Sequence, residues 1–188
     1  MIFDIVFHPT NSFESAFNSE FDFKSVLTVI ILSGLLLSAS VFLLTSSLVF
    51  SIISFIINIV NWIVLSGLLF FFEFVHNKKR IKSSSKVFNR SLFVLSKLWK
   101  INLIFYSLIF GGCLLLPVIN GILFNVIAGI FFVALIILVI SWIIASFKML
   151  KIVLKINKLK LLINWILFMF LNSLISFLLS NLLSIFLI

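Results

Sequence analysis

Long uncharged apolar runs alternate with short basic segments along this chain. No charged residue occurs within 25–72, 101–147 or 161–188. A transmembrane helix needs about 20 consecutive apolar residues, so the first two runs can each hold two helices and the third can hold one. The pattern therefore predicts five transmembrane helices, at about 25–45, 48–74, 101–119, 123–147 and 161–186.

Small and turn-forming residues divide the two longer runs. Thr45, Ser46 and Ser47 lie near the middle of the first run, where hydroxyl groups can cap exposed backbone groups. Asn120 and Gly121 divide the second run and predict a tight turn. The predicted fold class is an all-α, polytopic integral membrane protein, in which residues 25–188 form the transmembrane domain.

Residues 1–24 form an N-terminal cytoplasmic or interfacial segment that holds four of the five acidic residues. Pro9 interrupts any earlier helix, and Asn11 and Glu14 have the spacing of a capping box. A short helix from Ser12 would place three apolar residues on one side, so we expect it to lie on the membrane surface. These apolar residues are Phe13, Ala16 and Phe17.

Two basic segments, 76–100 and 148–160, connect the predicted helices. Within 86–100, Phe88, Leu92, Leu95 and Trp99 recur at helical spacing. This part is either a basic amphipathic helix with Trp99 at headgroup depth or a solvated loop that sets the topology. We expect the following cations to contact lipid headgroups or a partner: Lys86, Arg90, Lys97, Lys100, Lys148, Lys151, Lys155 and Lys158.

The distribution of basic residues predicts an orientation. With five spans, all 14 Lys and Arg fall on one side of the membrane. By the positive-inside rule that side is cytoplasmic. We therefore expect a multi-pass protein of the cell membrane, with a cytoplasmic amino terminus and a carboxyl terminus outside.

Small and polar residues recur along one face of the second predicted helix. The face consists of Ser47, Ser51, Ser54, Asn58 and Asn61, spaced 4, 3, 4 and 3 residues apart. In lipid, small residues let helices approach and polar ones bond across the contact, so a helix-packing seam is the first interpretation. A polar path for a solute is the alternative. The last predicted helix carries a similar row, Asn172, Ser176, Ser180 and Ser184.

Composition narrows the possible partners and chemistry. The chain is 63% hydrophobic and carries a formal net charge of +9. Because this charge lies beside membrane spans, it favours an anionic lipid surface over nucleic acid. No acidic residue follows Glu73 and no histidine follows His76, which leaves few groups for acid–base catalysis or metal binding. We expect no enzymatic activity, catalytic residue, cofactor or metal site, and we expect Glu73 to be an interfacial acid facing 78–80.

The layout resembles the Yip1-type family of membrane proteins in its prokaryotic form. The stretch 7–13, Phe-His-Pro-Thr-Asn-Ser-Phe, is similar to the hydrophobic residue, Pro and Phe with which such members begin. Trp142 and Lys148, followed by the basic amphipathic stretch 150–162, are similar to the end of the family's fourth helix. The chain departs from the family before the third helix, where Ser91 and Ser96 have no nearby Pro. The resemblance implies a five-helix, non-enzymatic membrane scaffold, and it assigns no functional residue.

Two functions follow from these predictions. The first is a Yip1-like scaffold or accessory subunit whose basic cytoplasmic face contacts anionic lipid, a membrane-protein partner or a second copy. The alternative is a permease-like transport component that oligomerises around the polar rows of the second and fifth helices.

Overall fold

The computed structural model describes residues 4–77, 84–119 and 121–185, and within them every regular element is helical. The all-α prediction is therefore confirmed. The elements in chain order are α1 Asp4–Phe7, α2 Pro9–Asn18, α3 Phe23–Thr45, α4 Leu48–Asn77, α5 Ser84–Leu115, a 3-10 turn Leu116–Val118, α6 Ile122–Leu154 and α7 Lys158–Ile185.

Five helices, α3 to α7, are long and apolar enough to span a membrane, as the sequence predicts. Capping side chains and left-handed residues mark the ends of several of these helices. The Asp22 carboxylate accepts a hydrogen bond of 3.2 Å from the Ser25 amide and caps α3. Ser46 ends α3 and Lys155 ends α6, both in the left-handed conformation, at φ of 54° and 51°. The Asn157 side chain accepts from the Lys160 amide and caps α7.

The main difference from the sequence prediction concerns residues 86–100. They do not form a separate segment, because one continuous helix, α5, runs from Ser84 to Leu115. Leu95 and Leu98 are fully buried and Trp99 is only 2% exposed, so Trp99 is covered by protein rather than by lipid headgroups. Helix α5 packs against α1, α2, α3, α4 and α6 and is the central helix of the fold. Its apolar face contacts protein rather than lipid.

The N-terminal helix α2 also packs on protein. Its Phe13 and Ala16 are buried, and the helix contacts α5 and α6. It begins at Pro9, in the first turn, which is favourable because proline there loses no intrahelical hydrogen bond. The capping role predicted for Asn11 is therefore wrong, since the helix has already begun two residues earlier.

Close packing joins α3 and α4 in an antiparallel pair. A Cβ atom added at Gly34 would lie 2.8 Å from a ring carbon of Phe55, so only glycine fits this contact without a shift. Helix α6 is peripheral by contrast. Along its length it exposes large apolar side chains, such as Ile130, Phe132 and Ile137, as a lipid-facing helix does.

Candidate functional site

A buried hydrogen-bond network connects α3, α4 and α5 through Asn58. The Asn58 amide nitrogen donates to the Ser33 hydroxyl at 3.1 Å and to the Ile30 carbonyl at 3.3 Å. Its side-chain oxygen accepts from the indole nitrogen of Trp99 at 3.2 Å. Asn58 is 3% exposed, so its amide is satisfied by protein groups away from water.

The other members of the predicted seam have different partners. Ser51 donates to the Ser38 carbonyl of α3 at 2.8 Å, and the two hydroxyls lie 2.7 Å apart. Ser54 bonds within its own helix, to the Ser51 carbonyl. The Ser47 hydroxyl accepts from the Phe50 amide at the start of α4. Ser51 and Asn58 thus form hydrogen bonds to α3, whereas Ser47 and Ser54 form hydrogen bonds to backbone groups of α4.

Asn61 joins the two polar rows that the sequence indicates. Its amide nitrogen donates to the Ser176 hydroxyl of α7 at 3.4 Å, so the rows of α4 and α7 meet inside one chain. Together with Asn102 and Asn172, these residues line a cavity of about 260 Å³ between α4, α5, α6 and α7. We call it the mid-helix cavity. Of the α7 row, Ser180 and Ser184 have side chains outside the described part of the structure.

The structure corrects the prediction for Glu73. Its side chain is 3% exposed and forms an ion pair with Arg90 of α5, so Glu73 is buried between helices. The residues that it is predicted to face, 78–80, lie outside the described ranges. The Arg90 guanidinium also lies over the Phe17 ring of α2, 4.2 Å from its centroid. One arginine therefore ties α4 and α2 to α5, which the sequence could not reveal because its partners are distant in the chain.

Two further contacts join the ends of helices near this ion pair. The Asn77 amide nitrogen donates to the carbonyl oxygens of Val153 and Leu154, at 3.3 and 3.2 Å, and so caps the end of α6. His76 Nε2 and Asn164 Oδ1 lie 3.1 Å apart, which links α4 to α7. The ends of α4, α6 and α7 are consequently fixed relative to one another on the side where the lysines cluster.

The predicted headgroup-contact residues divide into exposed and half-buried groups. Lys86, Lys151, Lys155 and Lys158 are exposed, whereas Arg90, Lys97, Lys100 and Lys148 are half-buried. Lys97 lies over the Phe93 ring, with its ammonium 4.4 Å from the centroid. We call the end of the bundle that carries these residues the basic end.

Two crevices open beside α2 at the basic end, each of about 360 Å³. One lies between α2 and α6 and is lined by Glu14 and Phe17 together with Lys148, Lys151 and Lys155. The other lies between the N-terminal helices and α5, where Lys97 and Lys100 face Asp4 and His8. Both combine cations with acidic or polar groups of the N-terminal segment, so α1 and α2 shape the surface that the lysines present.

Potential metal ligands are scattered in the part of the chain that the structure describes. Among them, no group of three or more His, Cys, Asp or Glu side chains comes together. Cys113 is a half-buried free thiol in the apolar part of α5. In the mid-helix cavity the polar side chains are neutral amides and hydroxyls, which can hydrogen-bond a neutral molecule.

Comparison with known proteins returned no match to any family model, any curated protein or any solved structure. The resemblance to the Yip1-type family therefore stays a prediction.

Proposed function

We propose that this chain is a non-enzymatic integral membrane scaffold or accessory subunit, Yip1-like in layout, whose basic end is cytoplasmic. The supporting observation is that cations of α5 and α6 line the two crevices beside the docked α2. Lys158 and Lys160, at the start of α7, follow the last lysine of α6 closely in the chain. In this arrangement the positive-inside rule places the basic end in the cytoplasm and the opposite turns outside.

The proposed ligand of the basic end is the anionic headgroup layer of the inner leaflet. Lys151, Lys155 and Lys158 are exposed and lie close together at the end of α6 and the start of α7. Each basic residue near an anionic leaflet contributes about 1 kcal/mol of attraction before screening. These few cations are therefore sufficient to enrich anionic lipids around this end of the protein.

A lipid-enrichment experiment tests the proposal. The full chain is reconstituted in mixed neutral and anionic lipids, and the lipids retained on purification are quantified by mass spectrometry. Replacing Lys148, Lys151, Lys155 and Lys158 by Gln should lower the anionic enrichment at least fivefold, whereas replacement by Arg should preserve it. Enrichment should also fall with salt, since the Debye length shrinks from about 10 Å at 0.1 M to about 3 Å at 1 M. Equal enrichment in the Gln and Arg variants would reject this lipid role.

The transport alternative has one specific observation in its favour, which is the meeting of the two polar rows at Asn61 and Ser176. Crosslinking in native membranes distinguishes the transport alternative from the scaffold proposal. A stable second protein supports the scaffold, whereas a self-oligomer whose purified form mediates solute flux supports transport. The polar rows meet within one chain, so oligomerisation is not needed to cover Asn61.

A further inference from the structure

The crevice between α2 and α6 gathers three lysines and one acid, and we call it the α2–α6 crevice. Its charged lining residues are Lys148, Lys151 and Lys155 on the α6 side and Glu14 on the α2 side. With three lysines and one glutamate, the lining has a formal charge of +2. Among the described residues none of these lysines forms an ion pair, so their ammonium groups are available to an anion from outside the protein.

The α2–α6 crevice is accessible and large enough for a phosphate group. Its volume of about 360 Å³ greatly exceeds the ~10–15 Å³ that one water molecule requires. Lys151 and Lys155 are exposed, so the crevice is reached from the protein surface. The Lys155 ammonium lies 5.2 Å from the centroid of the Phe17 ring, which holds this cation beside α2. The Thr10 hydroxyl and the Asn18 amide add uncharged donors, so the lining can hydrogen-bond several oxygens of one anion.

The charge of the lining favours a phosphomonoester over a phosphodiester. A phosphomonoester carries a charge of about −1.5 to −2 at neutral pH and presents three acceptor oxygens. The formal charge of +2 in the crevice matches this value, and each of the three lysines can donate to one of the oxygens. A phosphodiester has one terminal oxygen fewer and a smaller charge, so it leaves part of the lysine cluster without a partner.

An exposed apolar stripe on α6 leads to the lysines of the crevice. Two isoleucines and the three lysines share one face of the helix, because successive members are separated by 7, 4, 3 and 4 residues. They are Ile137, Ile144, Lys148, Lys151 and Lys155. Ile137 is 54% exposed and Ile144 is 48% exposed, so this stripe is available to acyl chains. A lipid whose chains cover the stripe has its headgroup beside Lys148, one helical turn beyond Ile144.

The position of the crevice along α6 matches the headgroup layer of a bilayer. Lys148 is twenty-six residues after Ile122, the first residue of α6, which corresponds to about 39 Å along the helix. The hydrocarbon core of a bilayer is about 30 Å thick, or about 40–45 Å with the headgroup regions. A helix that enters the hydrocarbon near Ile122 therefore carries Lys148 at the depth of the headgroups on the opposite side.

We propose that the α2–α6 crevice binds a phosphomonoester lipid, such as phosphatidic acid, with its phosphate among the three lysines and its acyl chains along the apolar stripe of α6. Glu14 weakens this binding, because its carboxylate lies in the same crevice as the phosphate. The inference rests on the proposed function, which brings the basic end to the inner leaflet. It goes beyond that function by assigning one class of lipid to one site.

Lipid retention on the full chain tests the proposal. The chain is purified from phosphatidylcholine liposomes that contain phosphatidic acid or phosphatidylglycerol at equal total negative charge, and the lipids that stay bound are quantified by mass spectrometry. Phosphatidic acid should be retained about fivefold better, the factor that corresponds to one further cation contact. Equal retention of the two anionic lipids, above that of phosphatidylcholine, would overturn this site and leave the general lipid role in place. Retention of neither would contradict that role as well.

A soluble competitor separates a lipid ligand from a free phosphate. Glycerol phosphate has the same phosphomonoester as phosphatidic acid but no acyl chains to cover the apolar stripe of α6. An excess of glycerol phosphate should therefore leave the retained phosphatidic acid unchanged within error. Displacement by glycerol phosphate would show that the headgroup alone is recognised and would overturn the assignment to a lipid.

Two pairs of exposed residues separate the crevice from the overall charge of the protein. Glu14→Gln removes the acid from the crevice and should raise the retention of phosphatidic acid up to about fivefold, whereas Lys151→Gln should lower it about fivefold. Glu20→Gln and Lys24→Gln are the matched controls, because both residues are exposed and neither lines the crevice, and retention should not change. Equal effects of Glu14→Gln and Glu20→Gln, or of Lys151→Gln and Lys24→Gln, would show that overall charge sets the retention and would refute the site.

Discussion

Asn58 shows how a single polar residue can position three helices. It lies on α4, donates to Ser33 and the Ile30 carbonyl of α3, and accepts from Trp99 of α5. Helices surrounded by lipid gain little from apolar burial against one another, so packing and interhelical hydrogen bonds are left to specify their contacts. The network therefore fixes the relative rotation of α3, α4 and α5.

Replacing Asn58 by Leu should destabilise the protein by about 1–2 kcal/mol. Hydrogen bonds between membrane helices average about 0.6 kcal/mol, and this change removes the bonds to Ser33, Ile30 and Trp99. The loss is measured by thermal unfolding in detergent. Ser54→Ala is the control, because the Ser54 hydroxyl bonds only to its own helix, and its unfolding should match that of the unchanged protein within error. A melting temperature unaffected by Asn58→Leu would show that the network does not stabilise the fold.

The buried ion pair between Glu73 and Arg90 gives a second prediction at this scale. Arg90→Met leaves a buried carboxylate without its partner, and such losses cost about 3–5 kcal/mol in proteins. Because Arg90 is 31% exposed, we expect a value near the lower end of this range. The double variant Glu73→Met with Arg90→Met removes both charges and should recover most of the stability. If the double variant unfolds as easily as Arg90→Met alone, the contact of Arg90 with Phe17 contributes more to stability than its ion pair with Glu73.

These two residues also show what sequence reasoning could resolve. The spacing of the seam indicates that Asn58 faces another helix, since its neighbours on that face are small and polar. It does not indicate which helix, because periodicity carries no information about partners distant in the chain. The cations that follow Glu73 within a few residues predict an interfacial acid. Its actual partner, Arg90, lies on the next helix, and only the packing of α4 on α5 brings the two together.

At the scale of whole elements, the number of helices was predictable and the role of α5 was not. Uncharged runs of fixed length predict spans because the bilayer sets the length of a helix that crosses it. An amphipathic pattern, however, shows only that one face of a helix is apolar. Residues 86–100 place that face against α3 and α4 rather than on a lipid surface, and the pattern is the same in both cases. The pattern in α2 is ambiguous in the same way.

The docking of α2 on α5 and α6 gives a testable prediction about this element. Phe13 is fully buried in that contact, whereas Phe7 is 72% exposed and provides a matched control. Truncating a buried Phe to Ala costs about 3–5 kcal/mol, which should be enough to release a ten-residue helix from the bundle. Phe13→Ala should therefore speed amide hydrogen exchange across residues 9–18 at least tenfold while leaving α3 unchanged, and Phe7→Ala should have no effect. Unchanged exchange in Phe13→Ala would contradict the docking of α2.

At the scale of the whole molecule, the proposed membrane orientation rests on the arrangement of charge and exposed apolar surface. The described helices expose apolar side chains along their lengths, most extensively on α6, and the lysines of α6 and α7 lie at one end. The sequence already predicts this separation of apolar and basic surface, since it follows from the alternation of apolar runs and basic segments. The mid-helix cavity could not be predicted, because it requires the relative rotations of α4, α5, α6 and α7.

The central claim is that the chain crosses a membrane five times with its basic end in the cytoplasm. The most direct test fuses a reporter that is active only outside the cytoplasm to two positions of the full chain, after Ile188 and at Ser84, the first residue of α5. The account predicts an active reporter after Ile188 and a silent one at Ser84, with both fusions present in equal amounts in the membrane fraction. The reverse pattern, or equal activity at the two positions, would contradict it.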